Sequence, residues 1–154
     1  MTDDIVATVE VPPDPDVIVV EVPGEQGPEG PPGRDGAAGV GFRLPVGPAA
    51  LGGHWVVRGS PSGVVFASSD AVADAAQVLG VTAAAAVAGA PADIIRSGVM
   101  TETTWTWQPG PLYLGLNGLM TQTAPSTGFV LQVATAISAT TVVVEIDEPF
   151  ILAA

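Results

Sequence analysis

The residues able to do chemistry are few and far apart. His54 is the single histidine in a chain of 154 residues, so a nucleophilic triad would have to centre on it, with a serine to attack and an acid to orient the imidazole. The sequence assigns it neither partner. Next to Trp55 at the start of a strand pattern, His54 reads as a packed or half-exposed structural residue. Asp70 with Asp74, and Asp147 with Glu148, supply the carboxylate pairs that a glycosidase would use as acid and base. Nothing in their pattern separates them from solvated surface. Trp105 and Trp107 alternate with Thr104 and Thr106, so a strand over 103–107 would put both indoles on one face. That face is an aromatic platform for a sugar ring or partner, or else core or intersubunit packing, and Tyr113 is grouped with it as a display or packing surface.

The remaining chemistry is excluded by composition. Cysteine is absent, which removes disulfides, thiolate metal sites and cysteine nucleophiles together. The acids follow no calcium-loop pattern, and only a ring of three symmetry-related carboxylates on a trimer axis would hold an ion. Gly36-Ala-Ala-Gly-Val-Gly41 has the look of a phosphate loop, but no Lys-Ser/Thr follows and it does not lead from a strand into a helix. No enzyme activity, metal or cofactor is expected. The formal charge is −12, lysine is absent, and Arg34, Arg43, Arg58 and Arg96 are the whole basic complement; nucleic acid, which demands clustered basic residues, is not a partner.

The elements that would position these residues begin with a glycine phase. Six Gly-X-Y triplets run without a break from Gly24 to Gly41. Every third residue of a collagen strand faces an axis where only a hydrogen fits, so Gly24, Gly27, Gly30, Gly33, Gly36 and Gly39 are predicted axial positions of a homotrimeric triple helix. The rod would be on the order of 55 Å long. With Pro28, Pro31 and Pro32 alone to preset φ, six triplets need a folded neighbour to hold three chains in register, and that clamp is expected on the C-terminal side. Upstream, Val6–Pro12 and Val17–Pro23 agree at five of seven positions. Both are β-branched, end in proline and flank Pro12-Pro13-Asp14-Pro15-Asp16, so both read as strands. Two short strands bury no core alone; Val6, Val9, Val11, Val17, Val20 and Val22 are assigned to an anchor arm that docks on another protein or pairs across the trimer.

Three parts result: an anchor arm at 1–23, a stalk at 24–41 and a β domain at 42–154. Hydrophobic residues make up 47% of the chain and charged ones 13%, so the surface is unusually apolar or is covered by neighbouring subunits. Gly, Pro and charged residues cut every apolar run short of a membrane span. Met1-Thr2-Asp3-Asp4 lacks the basic start of a secretion signal, and synthesis in a cytoplasm with delivery as part of an assembly is expected. After Gly41, short apolar runs alternate with turn signals, predicting strands at 54–58, 63–67, 77–81, 93–99, 103–107, 112–116, 119–122, 128–136 and 141–146. Asn117-Gly118 is a strong hairpin signal because both turn positions want positive φ. A short helix near 70–76, capped by Ser69-Asp70, and a small-residue strand in the alanine-rich stretch 82–90 complete the reading.

From Gly53 onward the order Gly-His-Trp-Val-Val, Ala-Ala-Gln-Val-Leu-Gly-Val-Thr, Ala-Gly-Ala-Pro-Ala-Asp-Ile-Ile-Arg-Ser-Gly-Val and Leu-Tyr-Leu-Gly-Leu-Asn-Gly-Leu-Met-Thr resembles the C-terminal β domains of tailed-bacteriophage fibre and capsid-decoration proteins. Leu131–Ile137 is the last matching segment, with alanine where glycine is common. The resemblance covers roughly residues 51–152. It implies a mainly β fold, a trimeric β-sandwich or barrel-like domain, and a virion appendage with no catalytic residues. The expected partners are sister chains, other virion proteins through the arm, and a host-surface glycan or protein. A tail or baseplate fibre is the first reading; a capsid head fibre or decoration protein is the second.

Overall fold

The computed structural model describes residues 39–153. The anchor-arm valines (Val6, Val9, Val11, Val17, Val20, Val22) and the axial glycines Gly24, Gly27, Gly30, Gly33 and Gly36 lie outside them. The described part is mainly β. Its strands are β1 (Gly39–Pro45), β2 (Val56–Ser60), β3 (Gly63–Phe66), β4 (Val78–Thr82), β5 (Pro91–Thr101), β6 (Gly110–Leu114), β7 (Met120–Thr121), β8 (Phe129–Val130), β9 (Gln132–Ala136), β10 (Thr141–Glu145) and β11 (Phe150–Ile151), with a 3-10 turn at Val72–Gln77. One curled antiparallel sheet runs in the order β3-β2-β4-β5-β10-β9-β6-β7, β1 joins it on β5, and β11 pairs β8 in a separate ribbon.

β5 is the hinge of this arrangement. Ser97 pairs with both Val40 of β1 and Glu145 of β10, and Ile94 with both Phe42 of β1 and Thr82 of β4. β1 therefore flanks one side of β5, while β4 and β10 follow one another along the opposite side. The register passes from Val40↔Ser97 to Gly41↔Ile95, which leaves Arg96 unopposed as a β-bulge. An extra residue reverses the in–out alternation. Ile95 before the bulge and Met100 after it thus face the same core although their positions differ by an odd number.

Two apolar clusters result. The larger joins Val56, Val81, Ile95 and Met100 to Leu112, Leu114, Phe129, Val133 and Val144. The smaller lies across the sheet, where Val46, Leu51, Val57, Val64, Ala92 and Ile94 pack together. Val56 and Val57 are adjacent in sequence and both fully buried, as are Ile94 and Ile95 nearly so; successive strand residues point to opposite faces, so β2 and β5 are covered on both. One partly buried ion pair ties β2 to the 3-10 turn. Arg58 Nε lies 2.7 Å from Asp74 Oδ1, and the Asp74 carboxylate also accepts the Ser68 backbone N–H. Asp74 is therefore a buried structural acid rather than solvated surface.

Several sequence expectations are corrected. The segment 103–107 is irregular and not a strand. Residues 83–90 form neither strand nor helix; turns carry them, with one bridge between Leu51 and Ala86, since Gly89 and Pro91 cut any continuous element. The helix near 70–76 is a 3-10 turn entered through Ala71 with no side-chain cap. The run 128–136 divides at Leu131 into β8 and β9. β1 and β11 were not foreseen. β1 takes in the sixth triplet, so Gly39, assigned to a triple-helix axis, is paired with Gly98 in the sheet. The mainly β fold that was expected is present as a curled antiparallel sheet whose strand path ends at β3 and β7.

Candidate functional site

Two irregular segments, distant in sequence, build a concavity that is both polar and aromatic. The first is Gly52-Gly53-His54-Trp55 before β2. Buried Thr82 fixes it: its hydroxyl accepts the Trp55 N–H at 2.9 Å and donates to the Gly52 carbonyl at 2.7 Å, while the Thr82 carbonyl accepts the His54 N–H at 2.9 Å. His54 has φ 64°, a left-handed conformation uncommon outside glycine and asparagine. A β-carbon at Gly52 would lie 2.5 Å from the Trp55 indole; only glycine lets the ring lie against the backbone there.

The second segment follows β5. Glu102 donates its N–H to the Thr140 carbonyl and Trp107 to that of Ala139, tying 102–107 to the β9–β10 turn, and Trp105 N–H closes a tight turn onto the Glu102 carbonyl. Inside that turn Glu102 Oε1 accepts the Thr104 N–H at 3.1 Å and the Thr103 hydroxyl at 3.5 Å. The Thr104 backbone N–H holds the Glu102 carboxyl below its ordinary range, with smaller contributions in the same direction from the threonine hydroxyls and the nearby His54. Hydrogen bonds to the charged form favour it, so Glu102 is an anion at neutral pH.

The two segments meet ring to ring. His54 and Trp105 stack edge to face at 4.8 Å, and Trp105 and Trp107 tilt at 53° with centroids 6.2 Å apart. Trp55 in turn sets its edge against Phe66. Leu119 and Met120 form a further wall beyond the Asn117-Gly118 turn, whose φ values of 55° and 81° are those the hairpin signal requires. The cleft, open to solvent, holds about 360 Å³, within the size range of small-ligand sites. Leu119 and Met120 also line a neighbouring open depression of about 540 Å³, floored by Gly115 and walled by the 123–127 loop.

The sequence matches no protein-family model and no curated protein. The geometry alone therefore carries the reading. Trp105 and Trp107 meet through a pinned turn, and not through the strand alternation that was expected to put both on one face. Tyr113 does not join them; it sits half-buried on β6 opposite Gln132 and Thr121. His54, expected as a packed or half-exposed residue at a strand start, lies half-exposed just before β2, is stacked on Trp105 and also lines the cleft. Asp70 is tied up locally by the Ser68 hydroxyl at 2.6 Å, and Asp147 and Glu148 are exposed and outside the cleft. Among the described residues no His, Cys, Asp or Glu group is arranged to hold a metal. Sequence reasoning missed Glu102, and the available signal was its place two residues before Thr104, the spacing at which an acid caps its own turn.

Proposed function

We propose that the protein is a structural virion component: a short homotrimeric, collagen-stalked fibre of a tailed phage that contacts the host surface and performs no catalysis. In this reading residues 1–23 dock on another virion protein, the glycine triplets form the spacer, and the β domain sets the register of three chains and displays a surface. One observation carries the trimer. The triplet phase runs directly into β1, and β1 presents Val40, Phe42 and Leu44 on a single face to solvent, with Val40 68% exposed. Because paired residues share a face, this stripe continues from Val40 through Ser97 and Val99 of β5 to Val143 of β10, while Phe42 and Leu44 pair with Ile94 and Ala92, which are buried in the smaller cluster. Val99 remains 47% exposed. β1 also has a partner on one side only among the described strands.

Three chains leaving a triple helix emerge packed around one axis. The residues directly downstream are then nearest their own copies, so a second and third copy of β1 are the occupants that this apolar face fits. The same contact supplies the clamp that a short stalk needs. A contiguous exposed apolar face is otherwise costly to a soluble chain. Among the described residues no helix is long and apolar enough to cross a membrane. Three identical display surfaces on one stalk gain avidity against an arrayed receptor, so weak single contacts are enough.

Sedimentation equilibrium of the full chain tests this reading. The expected mass is that of three chains of 15.4 kDa each; a monomer or a dimer overturns it. A deletion of residues 1–23 is expected to leave the trimer intact and to abolish its incorporation into particles.

A further inference from the structure

We propose that the cleft between His54, Trp55, Glu102, Trp105 and Trp107 binds the ring of a neutral saccharide. The cleft gathers all three tryptophans and the single histidine of the chain, from segments separated by about fifty residues of sequence. A fold needing them only as filler would bury them, yet each is half-exposed: Trp105 and Trp107 lean on the larger core and Trp55 on the smaller. The local backbone is shaped for this placement. Gly52 yields its side-chain space to the Trp55 indole, and His54 holds an unfavourable φ that brings its ring onto Trp105.

The lining chooses the ligand class. Indole faces carry negative potential and accept the weakly positive C–H face of a pyranose. The hydroxyl edge of the same ring needs acceptors and donors, which Glu102, His54 and the Thr104 hydroxyl supply among the lining residues. Both hydrogen bonds within the Glu102 turn use Oε1, and Oε2 is the acceptor for a pair of adjacent hydroxyls. An ionised Glu102 in a chain of net charge −12 disfavours uronic and sialic acids. A quaternary ammonium would want aromatic faces on every side, whereas half of this lining is polar. Among the described residues a single carboxylate lines the cleft, not the pair that glycoside hydrolysis uses, and the site is read as one that binds without cleaving.

The cleft is lined by one chain, so this inference goes beyond the fibre reading and does not depend on it. The test is a titration of the full chain with the methyl glycosides of glucose, galactose and N-acetylglucosamine, alongside methyl glucuronide and tetramethylammonium as comparators. Every tryptophan lies in the cleft, so intrinsic emission reports on it alone. A saturable change is expected for at least one neutral glycoside, with a dissociation constant roughly in the millimolar range for a single ring, and none for the glucuronide. Glu102→Gln is expected to weaken binding at least about fivefold with an unchanged far-ultraviolet spectrum; Trp105→Ala is expected to abolish it. If Trp105→Ala fails to fold, Glu102→Gln still decides. Silence for all three neutral glycosides, a response to tetramethylammonium alone, or wild-type affinity in Glu102→Gln overturns the proposal. A monomer that binds sugar would refute the fibre and keep the site; a trimer that binds none would do the reverse.

Discussion

The β1 face and the aromatic cleft are both exposed and both rich in apolar atoms, yet they differ in kind. The side chains of Val40, Phe42, Leu44 and Val99 offer no polar group at all, on β1 and the adjoining sheet surface. The cleft mixes indoles with Glu102, His54 and Thr104 in a concave space held by hydrogen bonds to Thr82, Ala139 and Thr140. A surface with nothing to hydrogen-bond is satisfied by another protein surface of the same sort. A pocket of stacked rings with a fixed carboxylate is satisfied by a small molecule that has one greasy face and one polar edge. The two should therefore fail separately.

Phe42→Asp tests that separation with the largest expected effect. Placing a charge at the centre of the β1 face should turn the sedimenting species from trimer to monomer, while glycoside-dependent tryptophan emission is retained. Loss of both would mean that the cleft depends on assembly. Asp74→Ala acts on the fold beneath both surfaces: it strips the partner from half-buried Arg58 and orphans the buried Ser68 N–H, at a cost of about 3 kcal/mol in a denaturant titration. It should depress trimer and ligand signals together; an unchanged midpoint would show that the ion pair is structurally idle. The smallest effect concerns pH. The Glu102 carboxyl lies below its ordinary value, so its contribution to binding is complete above the usual carboxylate range and is lost as pH falls through the lowered one. Glycoside affinity is expected to be flat from about pH 7 to pH 5 and to drop only below about pH 4. A decline between pH 7 and pH 5 would contradict the assignment of that loss to Glu102.

What could be read from the sequence divides along physical lines. Local signals were reliable: Asn117-Gly118 dictates its own turn, and the alternating apolar runs mark β2 to β6 and β10 within a few residues. β1 was hidden because its composition continues the triplet phase, and its strand character comes from pairing with β5, a non-local contact. Thr103–Trp107 misled for the opposite reason. Threonine and tryptophan favour strands, but the Glu102 side chain competes for the backbone and closes a turn instead. Asp74 looked like surface because its partner, Arg58, lies on another element. The cleft itself was half visible: two indoles were flagged, whereas His54, Trp55 and Glu102 reach them only through the fold.

The one-sided attachment of β1 has a mechanical consequence. Any tension arriving from residues before Gly39 enters the domain along a strand that is hydrogen-bonded to β5 and to no other described strand. Traction is resisted first by that seven-residue seam, with its offset at Arg96, and only afterwards by the cores. A seam that slips before the cores yield would spare whatever the cleft is holding.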